Sequence, residues 1–426
     1  MQSIPDHDLR YTLANELHAR PFPSLEAPCT AAYLAIKMPN DAASRDRSLD
    51  LAHLHDLLDR YGAPHPQPGA THYFGNIGRH LLKWEQHTEF VTYTAFTDTL
   101  SDRPFDPVDF EVFPADWLTK APGVRVTSAL LRVELWDPER DMMARLHDWF
   151  VPESLAATRV LDDAAVIAGD FRIDTAGHLR FAVFAAPESG SRRIGRLVQR
   201  LCEIETYKSL SMLGFARAKE ISARMTDLDT KLTGMMDQMT SDECAPEDTL
   251  SGLLTASAEL ERMVARNSFR FGATAAYEAI VHDRIHVLRE QRFNGRQTFN
   301  EFMMRRYDPA MRTVKSTQTR LAAMADRAIR AGELLRTRVD VERSAQNQKL
   351  LESMDRRADL QLRLQKTVEG LSVVAISYYA VSLASYLAYP LTGALGLSKG
   401  ELTAALTLPV VGVVWWMLRR IQKKMH

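Results

Sequence analysis

The run LSVVAISYYAVSLASYLAYPL, residues 371–391, holds no charged side chain in 21 positions. As an α-helix rising about 1.5 Å per residue it would reach across roughly 30 Å, the hydrocarbon thickness of a bilayer. After TGALGLSKGE comes a second uncharged run, LTAALTLPVVGVVWWML at 402–418, which carries Trp415 and Trp416 near its end. Two such runs joined by a short connection predict a transmembrane hairpin. The competing reading is a buried helical pair in a soluble core, but core helices rarely lack charge for so long. Arg356, Arg357, Arg363 and Lys366 precede the first run, and Arg419, Arg420, Lys423 and Lys424 follow the second, while the connection holds Lys399. By the positive-inside rule both termini lie in the cytoplasm, with the lipid bilayer as the first expected partner.

Charge divides the rest of the chain. Residues 1–189 carry 17 basic and 28 acidic side chains, a net of −11, whereas residues 190–370 carry 31 and 25, a net of +6. An acidic front half repels nucleic acid, so no nucleic-acid partner is expected. Cys29, Cys202 and Cys244 are odd in number and far apart, with no CxxC pair, so neither a disulfide framework nor a structural zinc site is expected. The N-terminal stretch has acids but no basic or apolar signal region, so no secretory signal is expected.

Residues 1–189 read as a mixed α/β domain. Strand-like runs occur at TAAYLAIKM, EFVTYTAF, VRVTSALLRVELW, AAVIAGDFRI and LRFAVFAA, the last two separated by DTAGH, a hairpin-turn sequence. Helical patterns intervene at SLDLAHLHDLLDRYG, stopped by Gly62 and Pro64, and at PERDMMARLHDWF, opened by Asp137 and Pro138. From about 191 the texture changes to long amphipathic helices, broken at SDECAPED, FNG and YDP. Between Pro309 and Pro390 no proline occurs, so one helix of roughly 120 Å would run from a stalk into the first span. The expected class is therefore α+β: an α/β domain at 1–189, a helical stalk at 190–370, the hairpin at 371–418 (spans 371–391 and 402–418) and a basic tail at 419–426.

Several residues invite a functional reading. Read as a strand, EQHTE puts Glu85, His87 and Glu89 on one face, a candidate metal or regulatory set that would take a divalent cation. Same-face neighbours on one strand stand about 7 Å apart, so two at most would share an ion. Lys83 would pair with Glu85, and His18, Arg20, His72 or His80 would approach from neighbouring segments, Arg20 as a carboxylate clamp. The competing reading is a polar, cross-strand-paired face. In the first span Tyr378, Ser382, Ser385 and Tyr389 fall on one helical stripe, as candidate pore-lining hydroxyls or as hydrogen-bonding groups between packed helices. HDRIH (282–286) has the two-histidine spacing of a zincin but Asp283 in place of the catalytic glutamate, and helix-surface histidines are expected there. HLH (53–55) does not share a helical face, and FGNIGR (74–79) reads as a turn. No catalytic constellation or cofactor-binding motif stands out, so an enzyme is not the expected class.

LHARPFP, KWEQHTEFVTYTAF and the C-terminal hairpin together resemble an uncharacterised bacterial membrane-anchored family, the domain-of-unknown-function DUF3422 family. That resemblance implies the bacterial inner membrane and no established activity. The order of segments is also similar to that of CorA-type divalent-cation transporters, which implies an oligomeric ion channel or transporter, or an ion-regulated membrane protein, built as a homo-oligomer. Those proteins carry a Gly-Met-Asn signature after the first span; here YPLTGALGLSKGE has Gly393 without Met-Asn. The alternative function is a membrane-tethered scaffold or sensor without transport.

Overall fold

β-branched and aromatic runs that alternate between two buried faces set the centre of the structure. The computed structural model describes residues 4, 6–16, 22–39, 45–239, 246–391 and 398–425. Nine strands make one sheet: β1 (Cys29–Lys37), β2 (His72–Ile77), β3 (His80–Gln86), β4 (Phe90–Thr97), β5 (Val124–Leu135), β6 (Ala156–Val160), β7 (Ala165–Gly169), β8 (Leu179–Ala185) and β9 (Gln291–Arg292). Their order is β2-β3-β4-β1-β5-β8-β7-β6-β9. Neighbours are antiparallel except β5 and β8, which pair in parallel from Ala129↔Leu179 to Leu135↔Ala185.

Even-numbered β1 residues Ala32, Leu34 and Ile36 share a face with Leu82 and Trp84 of β3 and with Val91 and Tyr93 of β4. Helices α2 (Ser48–Arg60), α3 (Ala115–Thr119) and α4 (Met142–Trp149) close that face through Leu54, Leu57, Leu58, Trp117 and Leu146. His53 of HLH belongs to this core. Its ring stacks on Trp117 at 3.8 Å, with Nδ1 3.0 Å from the Tyr93 hydroxyl and Nε2 3.1 Å from the Trp117 carbonyl oxygen.

The other face is met by α5 (Ser191–Gln238), which packs on β1, β5 and β8. Beside α5 runs α6 (Pro246–His286). The two helices approach closely at Gly214, where an added Cβ would lie 2.1 Å from Oγ1 of Thr274. Arg224 crosses from α5 to Glu259 with bonds of 2.6 and 2.7 Å. A capping box of Thr298 and Glu301 starts α7 (Phe299–Arg306), and α8 (Asp308–Ala388) follows as one helix of 81 residues. Early in α8, Arg320 donates to Asp229 of α5 at 2.9 Å. The last helix is α9 (Lys399–Met425).

The chain divides into two compact units, residues 1–243 with 251–331, and residues 244–250 with 332–426. The first holds the sheet together with α5 and the start of α8. In the second, the apolar parts of α8 and α9 are turned outward. Tyr378, Tyr379, Leu383, Tyr386, Leu387 and Leu408 are exposed, and 6% of each helix's most apolar 18-residue window is buried.

The mixed α+β class, the long helices and the two apolar C-terminal helices match expectation. Local details differ. AAVIAGDFRI stops as a strand at Gly169, because Asp170 turns to accept from Val151 and Arg172 amides. The cap of α4 is Asp141, whose side chain accepts from Met143 and Ala144, while Asp137 caps a preceding turn. FGNIGR contributes four residues to β2, and its turn is confined to Gly78-Arg79 between paired Ile77 and His80. The short edge strand β9 lies just before FNG and pairs with β6 more than 130 residues earlier, a contact with no local signal.

Candidate functional site

The three residues of EQHTE do not share a strand, which corrects the single-strand expectation. Glu85 lies in β3, while His87, Thr88 and Glu89 form the turn to β4, closed by the His87 amide donating to the Phe90 carbonyl at 2.8 Å. The reason is a long-range demand on the turn. Arg45 donates to the carbonyls of His87 (2.8 Å), Thr88 (3.2 Å) and Phe90 (3.1 Å) from one side, and pairs with buried Asp50.

From the other side Glu89, with 0% of its surface exposed, is taken up by α6. Its carboxylate accepts from Arg270 at 2.5 and 3.1 Å and from the Tyr277 hydroxyl at 2.6 Å, with Lys37 Nζ at 3.8 Å. Burial works to raise the Glu89 carboxyl, but the bonds from Arg270 and Tyr277 and the charge of Lys37 outweigh it, so it stays below the usual range. Burial and the Glu89 carboxylate push the Tyr277 phenol up, and burial pulls the Lys37 ammonium down against the pull of Glu89. Glu89 is thus a filled junction between the sheet and α6. Sequence reasoning could not name Arg270 or Tyr277, which lie 181 and 188 residues away.

Glu85 and His87 instead line a cavity of about 240 Å³ between the sheet and α5, with Tyr33, Lys83, Gln199 and Glu203. Lys83 is 5% exposed, because strand alternation aims it at the helix-covered face. It pairs with Glu85 at 3.2 Å, as expected, and donates to Gln199 Oε1 at 2.7 Å. Gln199 passes a bond of 2.7 Å to Glu203, which also accepts from Arg284 of α6. The result is a relay of alternating charge, Glu85–Lys83–Gln199–Glu203–Arg284, across the cavity wall. At its floor Tyr33 is hydrogen-bonded to Thr206, and the buried Cys202 thiol is pushed up by burial and then by Glu203, so it stays protonated. Cys29 is likewise pushed up to about 12 by burial and Asp98.

The arrangement suits a small polar ligand with balanced charge better than a cation. Among the described residues no three His, Cys, Asp or Glu side chains converge as a metal site requires. His72 lies opposite Glu85 in the β2–β3 register, and His80 Nδ1 is 2.6 Å from Thr97 Oγ1. His18, Arg20, Cys244 and Gly393 lie outside the described residues. His282 of HDRIH stands 3.6 Å from Asp308, and His286 faces a separate cleft, so the two do not converge on one centre.

In the second unit Tyr378, Ser382, Ser385 and Tyr389 do share one side. They line a cleft of about 870 Å³ between α8 and α9, opposite Thr403 and Thr407. The Ser377 and Ser385 hydroxyls are shielded there with no hydrogen-bond partner among the described residues.

A family model described as a protein of unknown function (DUF3422) matches residues 5–425, nearly the whole chain. No curated protein matches it.

Proposed function

The chain belongs to this DUF3422 family, and on that premise we propose that it is a membrane-tethered sensor or scaffold, anchored by its two C-terminal helices. The observation that carries this reading is the apolar surface those helices turn outward, with 6% of each window buried within the chain. A large apolar side chain left in water forgoes about 1.5–3 kcal/mol, so a surface of exposed Tyr, Leu, Val and Trp is supported by hydrocarbon rather than water. The basic flanks of the hairpin support an orientation with both termini and the sheet unit on the cytoplasmic side of the bacterial inner membrane. Val341, Leu350, Leu351, Met354, Leu360 and Leu364 are exposed along α8 and support self-association through that helix.

Tethering is favoured over CorA-like conduction. The hydroxyl stripe is turned toward α9 of its own hairpin, across the cleft between the two helices. Residues 371–391 and 402–418 also hold no ionisable carboxylate, His, Lys or Arg to bind or relay an ion. Alkaline carbonate extraction should leave the full chain in the membrane pellet, and replacing both spans with an unrelated hairpin should preserve its cellular phenotype. Purified protein in liposomes should pass no Mg²⁺, Co²⁺ or K⁺. A flux of any of these, reduced by Ser382→Leu, would overturn tethering in favour of conduction; release by carbonate would overturn the membrane assignment.

A further inference from the structure

Apart from the charge-balanced cavity, the first unit has another cleft, of about 430 Å³, where the start of α5 meets the end of α6. Arg193, Arg196 and Arg200 recur at i, i+3 and i+7, which brings them to one face of α5. His286, the last residue of α6, and Arg289 just beyond it complete the wall. Such a gathering of like charge is costly unless something answers it. Arg289 has Asp162 at 2.7 Å, an exposed pair that holds little energy. Among the described residues no carboxylate lies within ion-pair distance of Arg193, Arg196 or Arg200; Glu203, the nearest acid along α5, is committed to Arg284 and Gln199.

We propose that this cleft binds a phosphate-bearing anion, gripped by Arg196 and Arg200 with Arg193, His286 and Arg289 at its rim. Guanidinium groups suit this ligand because their planar fork meets phosphate oxygens two at a time. Burial, then the like charges of Arg196 and Arg284, pull Arg200 below its ordinary value by more than the nearby Glu203 carboxylate lifts it, a penalty that a bound anion would relieve. The volume falls within the range of roughly 300–1,000 Å³ typical of small-molecule sites. No Phe, Tyr or Trp lines the cleft, so it grips phosphate and offers no stacking surface for a base.

The backbone around the cleft points the same way. Leu161, Asp162, Asp163 and Arg289 all hold left-handed φ values, between 52° and 62°, although none is glycine. The Leu161 amide donating to the Leu288 carbonyl at 2.8 Å fixes the two turns together. Such conformations cost of order 1 kcal/mol or more per residue, and they cluster at ligand clamps.

The phosphate comes either from a soluble metabolite or from a lipid headgroup, and titration separates the two. Full-length protein in phosphatidylcholine nanodiscs is titrated calorimetrically with pyrophosphate, then again in nanodiscs containing phosphatidic acid. Binding is expected, and weaker apparent binding in the second arm assigns the cleft to the headgroup. Arg196→Gln and Arg200→Gln should each weaken pyrophosphate about tenfold, the loss of one charge-assisted contact. Arg193→Gln, at an exposed position, should act in the same direction if the deeper variants fail to fold, while Arg224→Gln, elsewhere on α5, should leave affinity unchanged. Absence of pyrophosphate binding in phosphatidylcholine, or binding that the cleft substitutions do not alter, overturns the proposal.

Discussion

Replacing Glu89 with Gln keeps the shape of the β3–β4 turn and removes one charge. In the native structure that charge answers Arg270, whose side chain is 15% exposed, and Lys37, at 6%. The introduced amide would still accept one bond, but two cations would remain in a dry junction without their counter-charge. Breaking a buried ion pair by removing one partner costs about 3–5 kcal/mol, because the survivor cannot be rehydrated. For a unit of this size that lowers the unfolding midpoint by roughly 4–7 °C. The assay is thermal unfolding of the full chain followed by tryptophan fluorescence, since Trp84 and Trp117 are both fully buried in the first unit. A cycle with Arg270→Gln isolates the pair: the double variant should lose about 2 kcal/mol less than the two single losses together. The pH dependence carries a sign. A carboxyl held below its usual value of 4.5 contributes stability that is complete above 4.5 and fades as pH falls through the lower folded value. The gap between wild type and Glu89→Gln should therefore narrow in acid. A Glu89→Gln loss under about 1 kcal/mol, or strictly additive single losses, would refute the junction.

Two further outcomes follow from the packing. Gly214→Ala places a methyl 2.1 Å from Thr274 Oγ1, so α5 and α6 must separate; a loss of about 1–3 kcal/mol is expected, partly recovered by Thr274→Ala, which removes that oxygen, in the same melting assay. Glu290 accepts from the Phe299 and Asn300 amides at the start of α7, yet burial raises its carboxyl to about 7. A raised carboxyl stabilises most below its ordinary 4.5, and that contribution disappears as pH climbs through 7. Glu290→Gln should therefore gain on wild type between pH 5 and pH 8, by about 2 kcal/mol, in urea midpoints measured across that range.

The patterns legible in the chain are the ones with a period or a punctuation mark. β1, β4, β5 and β8 announced themselves as β-branched runs, α5 to α8 as proline-free amphipathic stretches, and the two apolar C-terminal helices as long uncharged runs. Lys83–Glu85 was legible too, because residues two apart on a strand must be neighbours. The failure at Glu89 is instructive. A strand and a hairpin turn use the same residues, and what chose the turn was Arg45 on one side and Arg270 on the other.

The sequence by itself thus determined the materials: an acidic α/β segment, long helices and two long apolar C-terminal helices. Tertiary structure alone decided which charges meet. It joined Glu89 to Arg270, filling a carboxylate that looked available, and it collected Arg193, Arg196, Arg200 and Arg289 around a cleft where, among the described residues, Arg289–Asp162 is the one ion pair these arginines make. Hydrophobic periodicity is local and can be read along a chain. Electrostatic partnership depends on distances through space, and only the folded molecule sets those.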